Sequence, residues 1–412
     1  MGLWLLVLAA CTPAPQPDGR LRLEFWTINL SPQFDSYFHR LVAEYEASHP
    51  EIRLEWIDLP QKVLEQKLMA AIAGGVAPDL VNLNTGSALV MAQNGALVDL
   101  QPLVSDEIRG RYFPALWQAA SLDGGVYAIP WYVTSRVLIY NKAILRQAGL
   151  DPERPPRTWE EVAEMARVVR RRTSAYGYMP SVRMIDEWSM FGVPIVDRSR
   201  RRAVFDSPQG VARLAWFVDL YRQGLIPRET LAEGYQGALD RYRSGSLAVL
   251  DTGPQMLLKI RSEAPSVYAT SGLAPLPRTP TGTVPAAVMN FVVPRPCRHR
   301  AQALELGLFL TSPQNQLAFD RLTPVLPSTV DTARDAYFRR PDTGDPLLDE
   351  ALRISARQLP RARDFALGLP HQQDLNRFLQ EAVEAAMYGS ATPEQALHQA
   401  AARWNRVLAA ED

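Results

Sequence analysis

The chain has 412 residues, enough for two lobes that each bury a core. Apolar residues make up 47% and charged residues 21%, and 44 Lys+Arg balance 44 Asp+Glu, which excludes the basic excess of a nucleic-acid binder. Two cysteines, Cys11 and Cys297, are too few for a disulfide framework.

In chain order the first feature is an apolar run over residues 2–10 (GLWLLVLAA), broken by Cys11 and a Pro-rich stretch. A spanning helix needs roughly 20 apolar residues, so this run is too short and fits the apolar region of a secretory signal. Leu8-Ala9-Ala10-Cys11 resembles a bacterial lipobox. The resemblance implies a signal peptide over 1–11, acylation of Cys11 and a lipid anchor in a bacterial membrane, at the periplasm or the cell surface. Acyl chains contribute about 0.8 kcal/mol of anchoring per buried CH₂. Residues 12–19 then read as an extended tether.

Beyond the tether, strand and helix patterns alternate. Residues 21–27 (LRLEFWT) alternate apolar and polar as a strand does, and Phe34, Phe38, Leu41, Val42 and Tyr45 recur at helical spacing. Residues 52–57 form a second strand, 63–73 a helix closed by Gly74-Gly75, and 79–83 a third strand. A second series starts near Val137: a strand, a helix over 143–148, an amphipathic helix over 159–172 with Thr158 as N-cap, and a helix over 208–223. Residues 247–251 and 286–294 are strands, 301–310 is a Leu-rich helix, and the last hundred residues are mostly helical. Strands separated by helices predict parallel pairing in an α/β sheet, with ligand bound beyond the carboxyl ends of the strands. Residues 29–33 and 84–87 occupy such ends.

Several segments, in order over roughly 20–330, resemble the family 1 extracellular solute-binding proteins of ABC importers, the group of maltose-binding protein. They are the opening strand and helix with its His49-Pro50-Glu51-Ile52 turn, Ala77-Pro78-Asp79-Leu80-Val81, the stretch from Gly125 to Tyr132 followed by Leu138 to Lys142, the Tyr242 to Leu250 unit with Gly253-Pro254, and Asn290 to Pro294. The resemblance implies a two-lobed periplasmic-binding-protein fold, each lobe a mainly parallel sheet flanked by helices, joined by hinge strands. The first lobe would comprise 20–133 plus 287–325 and the second 134–286 plus 326–412. Partners would be the permease subunits of an ABC importer with a cytoplasmic ATPase. The protein would be a monomer, without cofactor or metal.

A sugar offers in-plane hydroxyls and C–H faces, so its site needs short polar side chains and aromatic rings. The candidates are Asn29, Ser31 and Gln33 after the first strand, and Asn84, Thr85 and Gly86 after the third. Trp131, Tyr132, Thr134 and Arg136 stand at the first crossing, and Trp188 lies in a segment where family members place a stacking aromatic. Asp251, Thr252 and Gln255 follow a second-lobe strand, Asn290 marks the return, and Arg363 and Phe365 lie in the C-terminal region. Trp26 and Trp56 read as core. Gln255 stands where many relatives carry Trp, which favours a small sugar or polyol over a long oligosaccharide and leaves a glycerol-3-phosphate-like solute as the alternative.

Catalysis finds little support. The histidines at 39, 49, 299, 371 and 398 include no helical zinc-ligand pair, and neither a Gly-x-Ser-x-Gly elbow nor a phosphate loop occurs. A glycosidase would need only two carboxylates, so a glycan-active enzyme stays open beside a ligand-sensing ectodomain subunit.

Overall fold

Two sheets, each buried on both faces, organise residues 19–410, the part of the chain described by a computed structural model. The leader, Cys11 and residues 12–18 of the tether lie outside the described residues. The chain opens with β1 (Leu21–Ile28), β2 (Ile52–Leu59) and β3 (Leu80–Asn84), then a short hairpin of β4 (Ser121–Leu122) and β5 (Gly125–Val126). Next come β6 (Ile129–Ser135), β7 (Val137–Asn141), β8 (Val249–Thr252), β9 (Ser271–Ala274), β10 (Val284–Val292), β11 (Leu326–Pro327) and β12 (Ala362–Arg363). The first sheet runs β11-β6-β10-β3-β1-β2, with β12 also on β10, and the second runs β8-β7-β9.

Alternation along each strand sorts side chains onto two faces. In β1, Leu23 and Phe25 join one core while Trp26 and Ile28 join another on the opposite face. Burying such a side chain stabilises the fold by about 1.5–3 kcal/mol. Helix Asp35–Ser48 covers the first face with Tyr37, Phe38, Leu41 and Tyr45, and the Phe38 ring stacks on Trp56 at 4.6 Å. The second sheet is treated alike: Leu138 and Tyr140 face one core, Val137 and Ile139 the other. Helix Trp159–Arg172 packs on the former, and Thr158 caps it by accepting from the Glu161 N–H at 3.2 Å.

The expected two-lobed α/β architecture stands, but the strand directions require a correction. β1 pairs parallel with β2 and β3, whereas β10 runs antiparallel to β3 and β6, and β11 antiparallel to β6. The second sheet is antiparallel throughout. The cause is the crossing itself. β6 and β7 are separated only by Arg136, so β7 carries the chain away from the first lobe. β8 and β9 bring it back, ending at Thr252 opposite Val137 and at Ala274 opposite Leu138.

A second correction concerns residue 326, where the second lobe was expected to resume. β11 instead extends the first sheet, and Leu326 and Phe338 share a small core with Leu116, Val133, Val288, Leu359 and Ala362 beneath the crossing strands. The chain returns to the second lobe with helix Pro346–Gln358, whose Leu348, Ala351 and Ile354 enter its core. It passes the crossing again at β12, and helices Gln372–Tyr388 and Pro393–Ala409 then pack on the second lobe.

Candidate functional site

The first wall of the cleft is made where the parallel strands end. β1 lies between β2 and β3 in register, which brings Asn29 beside Asn84. Asn29 turns the chain at φ 53, a left-handed conformation that Asn tolerates better than most residues. Asp58 near the end of β2 then holds the loop, accepting from the Thr27 hydroxyl at 2.6 Å and from the N–H groups of Leu30 and Ser31 at 3.0 and 3.1 Å. Asn29, Ser31 and Gln33 are left exposed. Asn84 caps helix Thr85–Gln93, accepting from the Ser87 N–H at 2.9 Å, and Gly86 follows half-buried. The Ser87 hydroxyl donates to Glu65 at 2.7 Å.

Four expected contacts are core instead. Trp131 is 1% exposed, because its position in β6 points toward helix Asp35–Ser48, where it stacks on Phe291 at 4.8 Å. Trp188 is fully buried: helix Met184–Phe191 turns it inward onto Phe205 at 4.8 Å, and its indole N–H donates to the Gly210 carbonyl at 3.1 Å. Asn290 and Thr85 tie β10 to the end of β3, the Asn290 amide donating to the Thr85 hydroxyl at 3.2 Å and to the Val288 carbonyl at 3.2 Å. Trp188 was expected there from the family resemblance and the other three from their places at strand ends or crossings, and each is buried by the sheet pairing or the helix face it occupies. Tyr132 is half-buried against Phe319, and Thr134 is half-buried opposite Ala287.

The second wall gathers at the crossing. Arg136 lies 2.7 Å from Asp251 across the start of β7 and the end of β8. Burial pushes the Asp251 carboxyl up to about 6 against the opposing pull of Arg136. Burial likewise raises Asp186, which Arg183 meets at 3.1 Å from the surface. Beside it Glu187 and Arg213 form a buried pair at 2.6 Å, with the guanidinium over Phe191 and Trp216. Thr252 is buried and bonded to the Tyr235 hydroxyl. Gln255, half-buried, folds its carboxamide over Gly253, where any Cβ would collide with it.

The segment after β12 completes the crossing. Asp364 accepts from the Val288 N–H at 3.0 Å and the Gln358 amide donates to the Arg136 carbonyl at 3.1 Å. Arg363 bends onto its own backbone, donating to the Ala362 carbonyl at 2.8 Å, while Phe365 is half-buried. Gly368, at φ +55, lies against Leu89 of the first lobe, and Arg200 of the second lobe donates to its carbonyl at 3.0 Å.

Asp58, Asp186, Glu187, Arg213, Tyr235 and Asp364 escaped the sequence reading. Asp58 shares the strand-end position that singled out residues 29 and 84, and Gly234 before Tyr235 is a helix-interrupting signal. Paired acids such as Asp186-Glu187 carry no mark of burial.

Among the described residues no group of three or more His, Cys, Asp or Glu side chains is placed to hold a metal, and no helix is long and apolar enough to cross a membrane. Hydroxyl and carbonyl groups, carboxylates and guanidinium pairs suit hydrogen-bonded capture of a polar solute.

Solved and curated relatives agree with that architecture. A periplasmic-binding protein from Synechococcus sp. MITs9220 superposes with a TM-score of 0.85 at 36% identity, covering 94% of this chain and 99% of its own. The sn-glycerol-3-phosphate-binding periplasmic protein of Shigella dysenteriae serotype 1 is 24% identical over 89% of this chain and 88% of its own. The mannitol-binding protein of Pseudomonas aeruginosa is 32% identical over 41% of this chain and 39% of its own. The family model for bacterial extracellular solute-binding proteins matches residues 31–317, and the chain belongs to that family.

Proposed function

We propose that this protein captures a small carbohydrate or polyol between its two lobes and delivers it to an ABC importer. It would be held at the outer face of a bacterial membrane by acylated Cys11, and it binds rather than turns over its solute. The observation that carries the reading is the polar character of both sides of the chain crossings: exposed Asn29, Ser31 and Gln33 at the strand ends of the first lobe, and half-buried Arg136 and Gln255, backed by buried Asp251 and Thr252, on the second. The bodies 20–133 plus 287–325 and 134–286 plus the C-terminal helices turn about Arg136, β10 and β12. Solute touches both walls only when they approach, so binding shifts the population toward closure. Moving it from 1:99 to 99:1 takes about 5.5 kcal/mol of differential affinity. The similarity to mannitol-binding and sn-glycerol-3-phosphate-binding proteins supports a polyhydroxylated solute. Calorimetric titration with sugars and polyols, paired with small-angle scattering, tests the proposal. Saturable binding with compaction supports it, and turnover of a glycan panel or binding without compaction overturns it.

A further inference from the structure

The charges of the second wall are largely matched. Its buried guanidinium groups already have partners, Arg136 in Asp251 and Arg213 in Glu187. Asp186 and Asp364 add two carboxylates close enough to interact; Arg183, 70% exposed, and Arg136 act on Asp186, and Arg363 adjoins Asp364 with backbone carbonyls as its hydrogen-bond acceptors. Four guanidinium groups thus face four carboxylates, and a neutral hydroxyl finds both donors and acceptors at this wall.

A polyhydroxylated solute also presents C–H faces, which call for an accessible ring. Trp131 and Trp188 are buried, and among the described residues the exposed aromatic side chains are Tyr235 and Tyr388. Tyr388 ends helix Gln372–Tyr388, edge-on to Tyr221 of the second-lobe helices. Tyr235 stands at the crossing. Its hydroxyl bonds Thr252, which pairs with Val137 next to Arg136, while 38% of the residue stays open. The preceding Gly234 takes φ 53 and ψ −141, which no other residue type adopts readily, and breaks the helical path so that Tyr235 leaves its line. One hydrogen bond holds the phenol hydroxyl, and the residue keeps that 38% of its surface open.

We infer that Tyr235 is the platform on which the C–H face of the solute packs. This rests on the solute-binding reading above. The experiment is calorimetric titration of the full chain with D-mannitol, maltose and sn-glycerol 3-phosphate, repeated on Tyr235→Ala, Tyr235→Phe and Tyr388→Ala, with thermal midpoints recorded. The expected result is binding of a neutral probe that weakens roughly tenfold or more in Tyr235→Ala at an unchanged midpoint. Tyr235→Phe keeps most of the affinity, and Tyr388→Ala keeps all of it. Full affinity in Tyr235→Ala overturns the platform and leaves solute capture standing. A wild-type chain that binds none of the three overturns the proposed function and this inference with it.

Discussion

Beyond the end of β1 the exposed side chains Asn29, Ser31 and Gln33 are polar, and a single carboxylate, Asp58, steadies their loop by accepting from backbone N–H groups. Across the crossing the arrangement is inverted. Asp186, Glu187, Arg213 and Asp251 are buried in the second lobe, and each depends on a charged neighbour. Exposed polar groups lose little when changed, because water replaces their partners. Buried charges cannot be changed singly without stranding the other member of the pair. One wall is therefore free to vary with the solute, while the other is bound into the stability of its lobe.

The largest effect that can break this contrast is expected from Glu187→Ala. It leaves Arg213 buried among Phe191, Trp216 and Phe217 with no counter-charge. The cost should be about 3–5 kcal/mol in denaturant unfolding. A loss below about 1 kcal/mol would put the pair among ordinary surface ion pairs and erase the distinction between the walls.

Asp251 should add a pH signature to the second lobe. Its carboxyl rises from 3.8 to about 6 on folding, chiefly by burial, so the native state holds the proton to higher pH than the unfolded chain. The associated stability is complete below pH 3.8 and is lost as pH rises through about 6, on the order of 3 kcal/mol. Asp186, also raised by burial, titrates in the same sense. Unfolding curves between pH 4 and 7 should therefore slope less steeply in Asp251→Asn than in the wild type, and equal slopes would sink the assignment.

Gly368 tests a contact between the lobes at the crossing. A Cβ there would sit 2.7 Å from the Leu89 Cβ, on a backbone at φ +55. Gly368→Ala should cost roughly 1–3 kcal/mol, and because the clash is between lobes it should also show as a larger radius in scattering. Lost stability at an unchanged radius would make the contact a local packing matter.

How much of this was legible beforehand follows from which physical signals are local. Periodicity is local, so β1, helix Asp35–Ser48 and the Thr158 cap were read from the chain. Strand direction is not. A helix-rich connection joins parallel or antiparallel strands equally well, and the antiparallel β8-β7-β9 sheet follows from a crossing that composition does not announce. Aromatic residues are ambiguous in another way, since a ring suits a core as well as a sugar. Trp188 went to Phe205, and Tyr235, unremarked in the sequence, stayed open. Glu187 and Arg213 are 26 positions apart, and nothing short of the folded lobe brings them together.

The smallest expected effect sharpens the comparison from the first wall. Ser31 and Gln33 are exposed, and the loop is held through the Ser31 N–H, which a side-chain change leaves in place. Ser31→Ala and Gln33→Ala should each alter stability by no more than about 0.5 kcal/mol. If these side chains meet solute in the closed state, each should still weaken binding by about 0.5–1.5 kcal/mol, the net value of one hydrogen bond. Denaturant unfolding and titration with the neutral probe separate the two quantities. A stability loss matching the affinity loss would mean that the first wall, like the second, is bound into its lobe. Unchanged affinity with unchanged stability would move the solute contacts deeper, toward Asn84 and Glu65, whose Ser87 bond faces the same strand ends.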